Sequence, residues 1–316
     1  MHIPIDRDLA CLVSGLAGVL TAATVVGHTL RVRATTDART IAVANVNARI
    51  VAWWVMCGVV LGSAFLGTVP TVVLFGLLSF LALGEFITLT PSRPADHHAL
   101  LVAFYVAVPL QYSLIGTGWY GMFAILIPVY GVLCISAMAA IAGDTAGFME
   151  RMAKIHWGLL VCVYGLSHAP ALLMLDIPGY AGQNVKLLLF LILIVESSDV
   201  LQFIWGKLCG RRSIAPTVSP GKTVEGFVGG IATATLLGCA LWPLTPFSPL
   251  QCAALSFVAT AVGFAGGLVM SAIKRDRGIK DFGATIAGHG GILDRVDSLC
   301  FAAPVFFHLT RYFYAM

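Results

Sequence analysis

Leu250–Asp297 reads LQCAALSFVATAVGFAGGLVMSAIKRDRGIKDFGATIAGHGGILDRVD. Its first part, 250–270, carries no charged residue and matches the roughly 20 apolar residues that a helix needs to cross a bilayer core. Its second part, 271–297, sets Lys274, Arg275, Arg277 and Lys280 among Asp276, Asp281, Asp294 and Asp297, with a Gly-His-Gly-Gly turn at 288–291. An apolar span that passes directly into such dense mixed charge implies a polytopic membrane protein whose polar chemistry lies at a membrane surface. Charges held together in so oily a chain need a partner, and a polyanion with a divalent metal suits both signs.

The rest of the chain repeats the first half of this pattern. It is 59% hydrophobic and 11% charged, whereas soluble domains carry about a quarter charged residues. Apolar runs at roughly 9–30, 50–69, 71–90, 99–115, 119–142, 157–175, 185–204, 227–244, 250–270 and 299–314 predict an all-α fold of about ten transmembrane helices. A polar loop carrying Arg31, Arg33, Arg39 and Arg49 follows the first run, and Pro70 marks a turn between the second and third. Of the 19 Lys and Arg, all but Arg7, Lys186 and Arg311 then fall in loops on one side. The positive-inside rule makes that side cytoplasmic and puts the N-terminus outside. Two regions are expected, an N-terminal transmembrane scaffold at 1–156 and a C-terminal catalytic transmembrane region at 157–316 that contains the 271–297 stretch.

Several function classes lose ground here. A net charge of +4 fits inside-facing loops and not a nucleic-acid surface. The five N-terminal runs hold one acid, Glu85, which disfavours a transporter with ionisable groups near the bilayer midplane. The eight cysteines lie mostly in apolar runs without a C-x-x-C pair and read as buried small hydrophobes. Gly221-Lys222-Thr223 suggests a phosphate loop, but Pro216 stands where that motif needs its first Gly, and only a membrane span precedes it.

Three segments on the inner side are candidates to converge. Glu196 and Asp199 share a helix face inside the seventh run. The Gly- and Pro-punctuated stretch 206–226 brings Lys207, Arg211, Arg212 and Lys222 to the start of the eighth helix, where Glu225 stands and backbone amides suit phosphate oxygens. The 271–297 stretch adds Asp281, Asp294 and Asp297, hard oxygen ligands suited to Mg²⁺. It also adds cations for phosphate and His289 as a proton donor or phosphate contact.

Ser271-x-Ile273-Lys274-Arg275, Lys280-Asp281 and His289-Gly290-Gly291-Ile292-x-Asp294-Arg295-Val296-Asp297 together resemble the signature of the phosphatidate cytidylyltransferases, or CDP-diacylglycerol synthases. Asp199, Gly206-Lys207, Gly210-Arg211 and Ser219-Pro220-x-Lys222-Thr223-x-Glu225-Gly226 are similar to the family's other shared run. Ala287 departs from the family's usual Pro or Gly. The resemblance implies cytidylyl transfer from CTP to phosphatidate, giving CDP-diacylglycerol and pyrophosphate for phospholipid synthesis. A CTP-dependent lipid kinase, or a cytidylyltransferase for another lipid phosphate, is the alternative. Implied catalytic residues are Asp281, Asp294, Asp297, Lys280 and His289, with Asp281, Asp294 and Asp297 holding Mg²⁺, alone or with a second cation. Implied substrate contacts are Glu196, Asp199, Ser219, Lys222, Thr223, Glu225, Lys274, Arg275 and Arg295. The expected partners are CTP, phosphatidate, membrane lipid and a second copy of the chain, in a bacterial inner membrane. Asn45, Asn47, Arg49 and the Trp53-Trp54 pair resemble a bacterial subgroup that acts beside a CDP-alcohol phosphatidyltransferase.

Overall fold

The computed structural model describes residues 6–33, 36–89, 92–286 and 290–315. Among the described residues ten helices carry the fold. They are α1 Arg7–Val32, α2 Asp37–Leu66, α3 Thr68–Ile87, α4 Pro94–Thr117, α5 Tyr120–Ile141, α6 Phe148–Met174, α7 Asn184–Cys209, α8 Val224–Ala240, α9 Pro249–Asp276 and α10 Leu293–Tyr314. Eight are long and apolar enough to cross a membrane, while α8 is shorter and α10 opens with charged residues. The protein is an all-α polytopic membrane protein, the architecture in which each span satisfies its own backbone polar groups in hydrocarbon.

The helix starts follow local chemistry. Asp6 caps α1 by accepting from the Leu9 amide at 3.0 Å. Ser248 and Gln251 form a reciprocal capping box ahead of α9, with Pro249 in its first turn. Thr223 caps α8 through the Gly226 amide at 3.1 Å.

Four local expectations are corrected. First, the polar segment after α1 turns helical at Asp37, so Arg39, Asn45, Asn47 and Arg49 lie on α2 and not in a loop. Trp54 lies in the middle of α2. Its indole donates to Thr24 Oγ1 at 3.1 Å while Asn47 Nδ2 donates to the Gly27 carbonyl at 3.3 Å, so these polar side chains tie α1 to α2. Second, the turn between α2 and α3 is made by Gly67, at φ 114°. Pro70 sits in the first turn of α3, where its missing N–H costs nothing. Third, α6 begins at Phe148, and Arg151, expected in a solvated loop, is buried. Its Nε donates to Asp96 Oδ1 at 2.9 Å and a terminal nitrogen donates to the Asp144 carbonyl at 2.8 Å, so carboxylate and carbonyl oxygens draw it inward. Fourth, the 206–226 stretch contains a two-stranded antiparallel hairpin, β1 Ser213–Ala215 and β2 Ser219–Thr223. Gly221-Lys222-Thr223 lies within β2 itself, not in the strand-to-helix loop that a phosphate-binding motif requires. The cysteines also divide: Cys162, Cys252 and Cys300 are buried, but Cys11, Cys134 and Cys209 are exposed.

The four C-terminal helices pack closely through small residues. A Cβ at Gly226 would come within 2.7 Å of the Gln202 carbonyl oxygen of α7, and one at Gly266 within 2.5 Å of the Phe301 ring of α10. Close approach of this kind is how membrane helices gain contact without a hydrophobic driving force. The links between helix ends keep to the sides set by the charge count. Lys186 at the start of α7 pairs with Asp6, and Arg311 at the end of α10 lies 3.6 Å from the Tyr120 ring centre. At the opposite end Arg93 meets Asp144 at 3.2 Å, and Arg275 donates to the Val218 carbonyl at 3.2 Å.

Candidate active site

The polar cluster forms where α7, β2, α9 and α10 meet at this second end. Asp199 of α7 accepts from the Ser298 hydroxyl of α10 at 2.7 Å. Asp297, one residue earlier, accepts from the Ser298 amide at 2.7 Å. Asp297 lies within electrostatic reach of Asp199, Lys274 and Lys222. Glu196 and Arg295 complete the group, and Glu196 also faces Asp199 and Asp297.

Lys222 enters from the hairpin. Its ammonium lies 4.7 Å from the Phe264 ring centre, and a Cβ added at Gly267 of α9 would stand 2.6 Å from Nζ. The backbone of α9 is therefore bare where the lysine crosses it. Burial pushes the Lys222 ammonium below its usual range, while Asp199 and Asp297 pull it back up. The Arg295 Nε is buried and has no hydrogen-bond partner among the described residues. A cation with unfilled donor capacity beside carboxylates is suited to receive an anionic oxygen.

Asp294 does something different from Asp297, although they are three residues apart on one helix. Asp294 Oδ1 accepts from Lys274 at 2.9 Å, and Oδ2 accepts from the Phe282 and Gly291 amides at 2.8 and 2.9 Å. Both oxygens are thus engaged with the chain itself, and the carboxylate fixes the loop between α9 and α10. Asp281 is exposed, its Cβ 3.1 Å from where a Cβ on Gly290 would stand. Asp281, Asp294 and Asp297 do not gather at one point. Among the described residues no group of three or more His, Cys, Asp or Glu could hold a metal. The carboxylates that face the cluster are Asp199 and Asp297, with Glu196 beside them.

The remaining expected site residues take varied places. Thr223 is the α8 cap, and its hydroxyl occupies the Gly226 amide that looked free for a phosphate oxygen. Glu225 accepts from the Arg211 and Arg212 amides at 2.9 and 3.2 Å and so closes the base of the hairpin. Arg275 ties the hairpin turn to Ile279 through the Val218 and Ile279 carbonyls. Ser219 is half-buried on β2, paired with Ala215. Lys280 is exposed beside Asp281. His289 and Ala287 lie outside the described residues.

Two residues of the site were missed, Ser298, which donates to Asp199, and Glu85. Glu85, at the end of α3, accepts from the Thr285 hydroxyl at 2.7 Å and from the Ile292 and Leu293 amides at 3.0 and 2.9 Å. Its only sequence signal was an acid in a span otherwise free of charge, a default marker of function in membranes. The site therefore takes one side chain from the N-terminal half.

The cytidylyltransferase family model matches residues 47–313. The uncharacterized protein YnbB of Escherichia coli (strain K12) is 42% identical over 272 residues, covering 85% of this chain and 88% of that protein. A phosphatidate cytidylyltransferase of Bacillus subtilis (strain 168) is 28% identical over 273 residues, 82% of this chain and 97% of that enzyme. Another of that name, from Aquifex aeolicus (strain VF5), is 39% identical over 139 residues, 44% of this chain and 52% of the other. With a match that spans both halves of the bundle and all four elements of the polar cluster, this chain belongs to the cytidylyltransferase family.

Proposed function

We propose that the protein transfers the cytidylyl group of CTP to phosphatidate, giving CDP-diacylglycerol and pyrophosphate at the cytoplasmic face of a bacterial inner membrane. The observation that carries this reading is the meeting of Asp199, Lys222, Arg295, Asp297 and Ser298 at one end of an apolar bundle. The end of an apolar bundle is where a water-soluble triphosphate and the head of a membrane lipid would meet. Names of relatives that include phosphatidate cytidylyltransferase support the acceptor.

In this reaction an oxygen of the lipid phosphate attacks the α-phosphorus of CTP, the bond to the β-phosphate oxygen breaks, and pyrophosphate leaves. The attacking phosphate is already anionic near neutral pH, so no strong general base is required. The difficulty is to bring two anions together. Lys222 and Arg295 lower that repulsion and hold the phosphates in line. Lys274, held by its ion pair with Asp294, stands beside Asp297. Apolar helix surfaces next to the cluster accept the acyl chains.

The residues present fit Mg²⁺. Asp199 and Asp297 offer hard oxygen donors, and among the described residues each accepts a single hydrogen bond, from Ser298. Magnesium is commonly held by one or two carboxylates together with substrate phosphates. When bound, it would neutralise charge on the transferring phosphoryl group and the leaving pyrophosphate.

The position of the label tests the reaction. With CTP labelled at the α-phosphate, label should enter the lipid, and with CTP labelled at the γ-phosphate it should leave as pyrophosphate. The reverse pattern, γ-label in the lipid and CDP in solution, would identify a lipid kinase and overturn the proposal.

Lys222 gives a pH prediction. Its lowered pKa means that the cation is lost at a lower pH than for an ordinary lysine. The rate should therefore fall on the alkaline side before pH reaches the usual lysine range. Lys222→Arg, which stays charged, should move that alkaline limb upward even if its maximal rate is lower. An alkaline limb identical in the two proteins would remove Lys222 from the phosphate-binding set.

A further inference from the structure

We propose that Glu85 is a positioning residue for the reaction: it holds Thr285 and the Ile292–Leu293 start of α10 in place so that Arg295 and Asp297 face Asp199 and Lys222. This inference rests on the cytidylyl transfer proposed above.

Between α9 and α10 the described residues form neither helix nor strand beyond one bridge. Their backbone bonds are the turn at Gly278 and Ile279 and that bridge, Ile286 to Gly290. A helix start also leaves its first amides without partners, and Ile292 at the N-cap has no side-chain oxygen to accept from them. Two carboxylates fill that need. The consecutive amides of Gly291, Ile292 and Leu293 donate in turn to Asp294, Glu85 and Glu85. The same two acids reach back toward α9, Asp294 to the Phe282 amide and Glu85 to the Thr285 hydroxyl. Phe282 and Thr285 on one side and Gly291 to Leu293 on the other are thus held by the same two carboxylates.

The Glu85 contacts depend on two glycines. A Cβ at Gly283 would stand 2.7 Å from Glu85 Oε1, and one at Gly291 would collide with Oε2. A carboxylate at the end of a flexible chain ordinarily gives way, but this one would have to give up its three bonds. Glu85 is itself anchored away from these residues. The neighbouring Leu83 and Phe86 are buried and lie against Gly158 of α6, and the Phe86 and Phe282 rings are 6.4 Å apart. The N-terminal bundle thus sets the position of the first turn of α10, and with it the directions of Arg295 and Asp297.

Kinetics and amide exchange of the full-length protein test this together. Glu85→Ala and Glu85→Gln should each raise hydrogen exchange at Ile292 and Leu293 by at least ~10-fold, because charge-assisted bonds protect those amides. In both, kcat should fall by at least ~10-fold with KM for the lipid unchanged, since misplacement acts on the transition state and not on the acyl-chain contacts. Glu85→Gln, which keeps one acceptor oxygen, should be less impaired than Glu85→Ala. Gly291→Ala should be damaging alone and nearly silent in the Glu85→Ala background. Should Glu85→Ala fail to fold, Thr285→Val removes one donor from the same carboxylate and should lower kcat about threefold without altering lipid KM. Wild-type kcat in both Glu85→Ala and Thr285→Val, unchanged exchange, or additive effects of Gly291→Ala and Glu85→Ala would overturn the proposal. If the wild-type protein makes no CDP-lipid, the reaction is refuted, and exchange and coupling still report whether Glu85 holds the start of α10.

Discussion

Asp297→Asn is expected to lower the rate of CDP-lipid formation by at least ~10²-fold, the loss typical when one preorganised electrostatic partner of a transition state is removed. The substitution preserves shape, and the amide oxygen can still accept from the Ser298 amide. What it removes is a negative charge beside Asp199, Lys222 and Lys274. Folding should be little affected, so the melting temperature in detergent should stay near that of the wild type. Asp199→Asn should behave likewise, and the double variant should cost less than the sum, because residues acting on one cation are coupled. Full activity in either single variant would remove the carboxylate pair from the mechanism.

Asp294→Asn should fail in another way. Here three donors meet one carboxylate: Lys274, Phe282 N and Gly291 N. An amide cannot satisfy them all. Its NH₂ must face either the half-buried Lys274 ammonium or two backbone N–H groups. Breaking one partner of a buried ion pair costs about 3–5 kcal/mol, and the segment that carries Asp281 would lose its fixed path. Both stability and activity should drop, with denaturation of the purified protein reading the first and product formation the second. Comparing the neighbours separates the roles: Asp297→Asn loses rate alone, Asp294→Asn loses both. An Asp294 variant of wild-type stability would show that the carboxylate does not hold the loop.

The contrast between these two acids also shows how far the sequence could be read. Helical spacing places Asp294 and Asp297 on one side of α10, and their residue type suits a metal. Spacing does not say that Asp294 sits at a helix start whose unsatisfied amides claim it, nor that Asp297 meets an acid from α7. The spans were legible because apolar length is a strong signal, and the charge count sorted their ends because Lys and Arg are unevenly placed. Glu85 was not legible as a site residue. Its partners lie about 200 positions away, and two of the three are backbone amides, which leave no mark on sequence. Arg151 looked solvated for a similar reason, since Asp96 and the Asp144 carbonyl come to it only when α4 and α6 pack. The hairpin at 213–223 escaped because its strands are short, and its Gly and Pro residues read as loop.

The most direct measurement is product formation by purified protein in phosphatidate-containing vesicles, with CTP and Mg²⁺, run beside Asp297→Asn and beside a chelated sample. The wild type should release one pyrophosphate for each CDP-lipid formed, and the variant and the chelated sample should both fall by at least ~10²-fold. Absence of CDP-lipid from the wild type, or undiminished synthesis by the variant, would contradict cytidylyl transfer at this cluster.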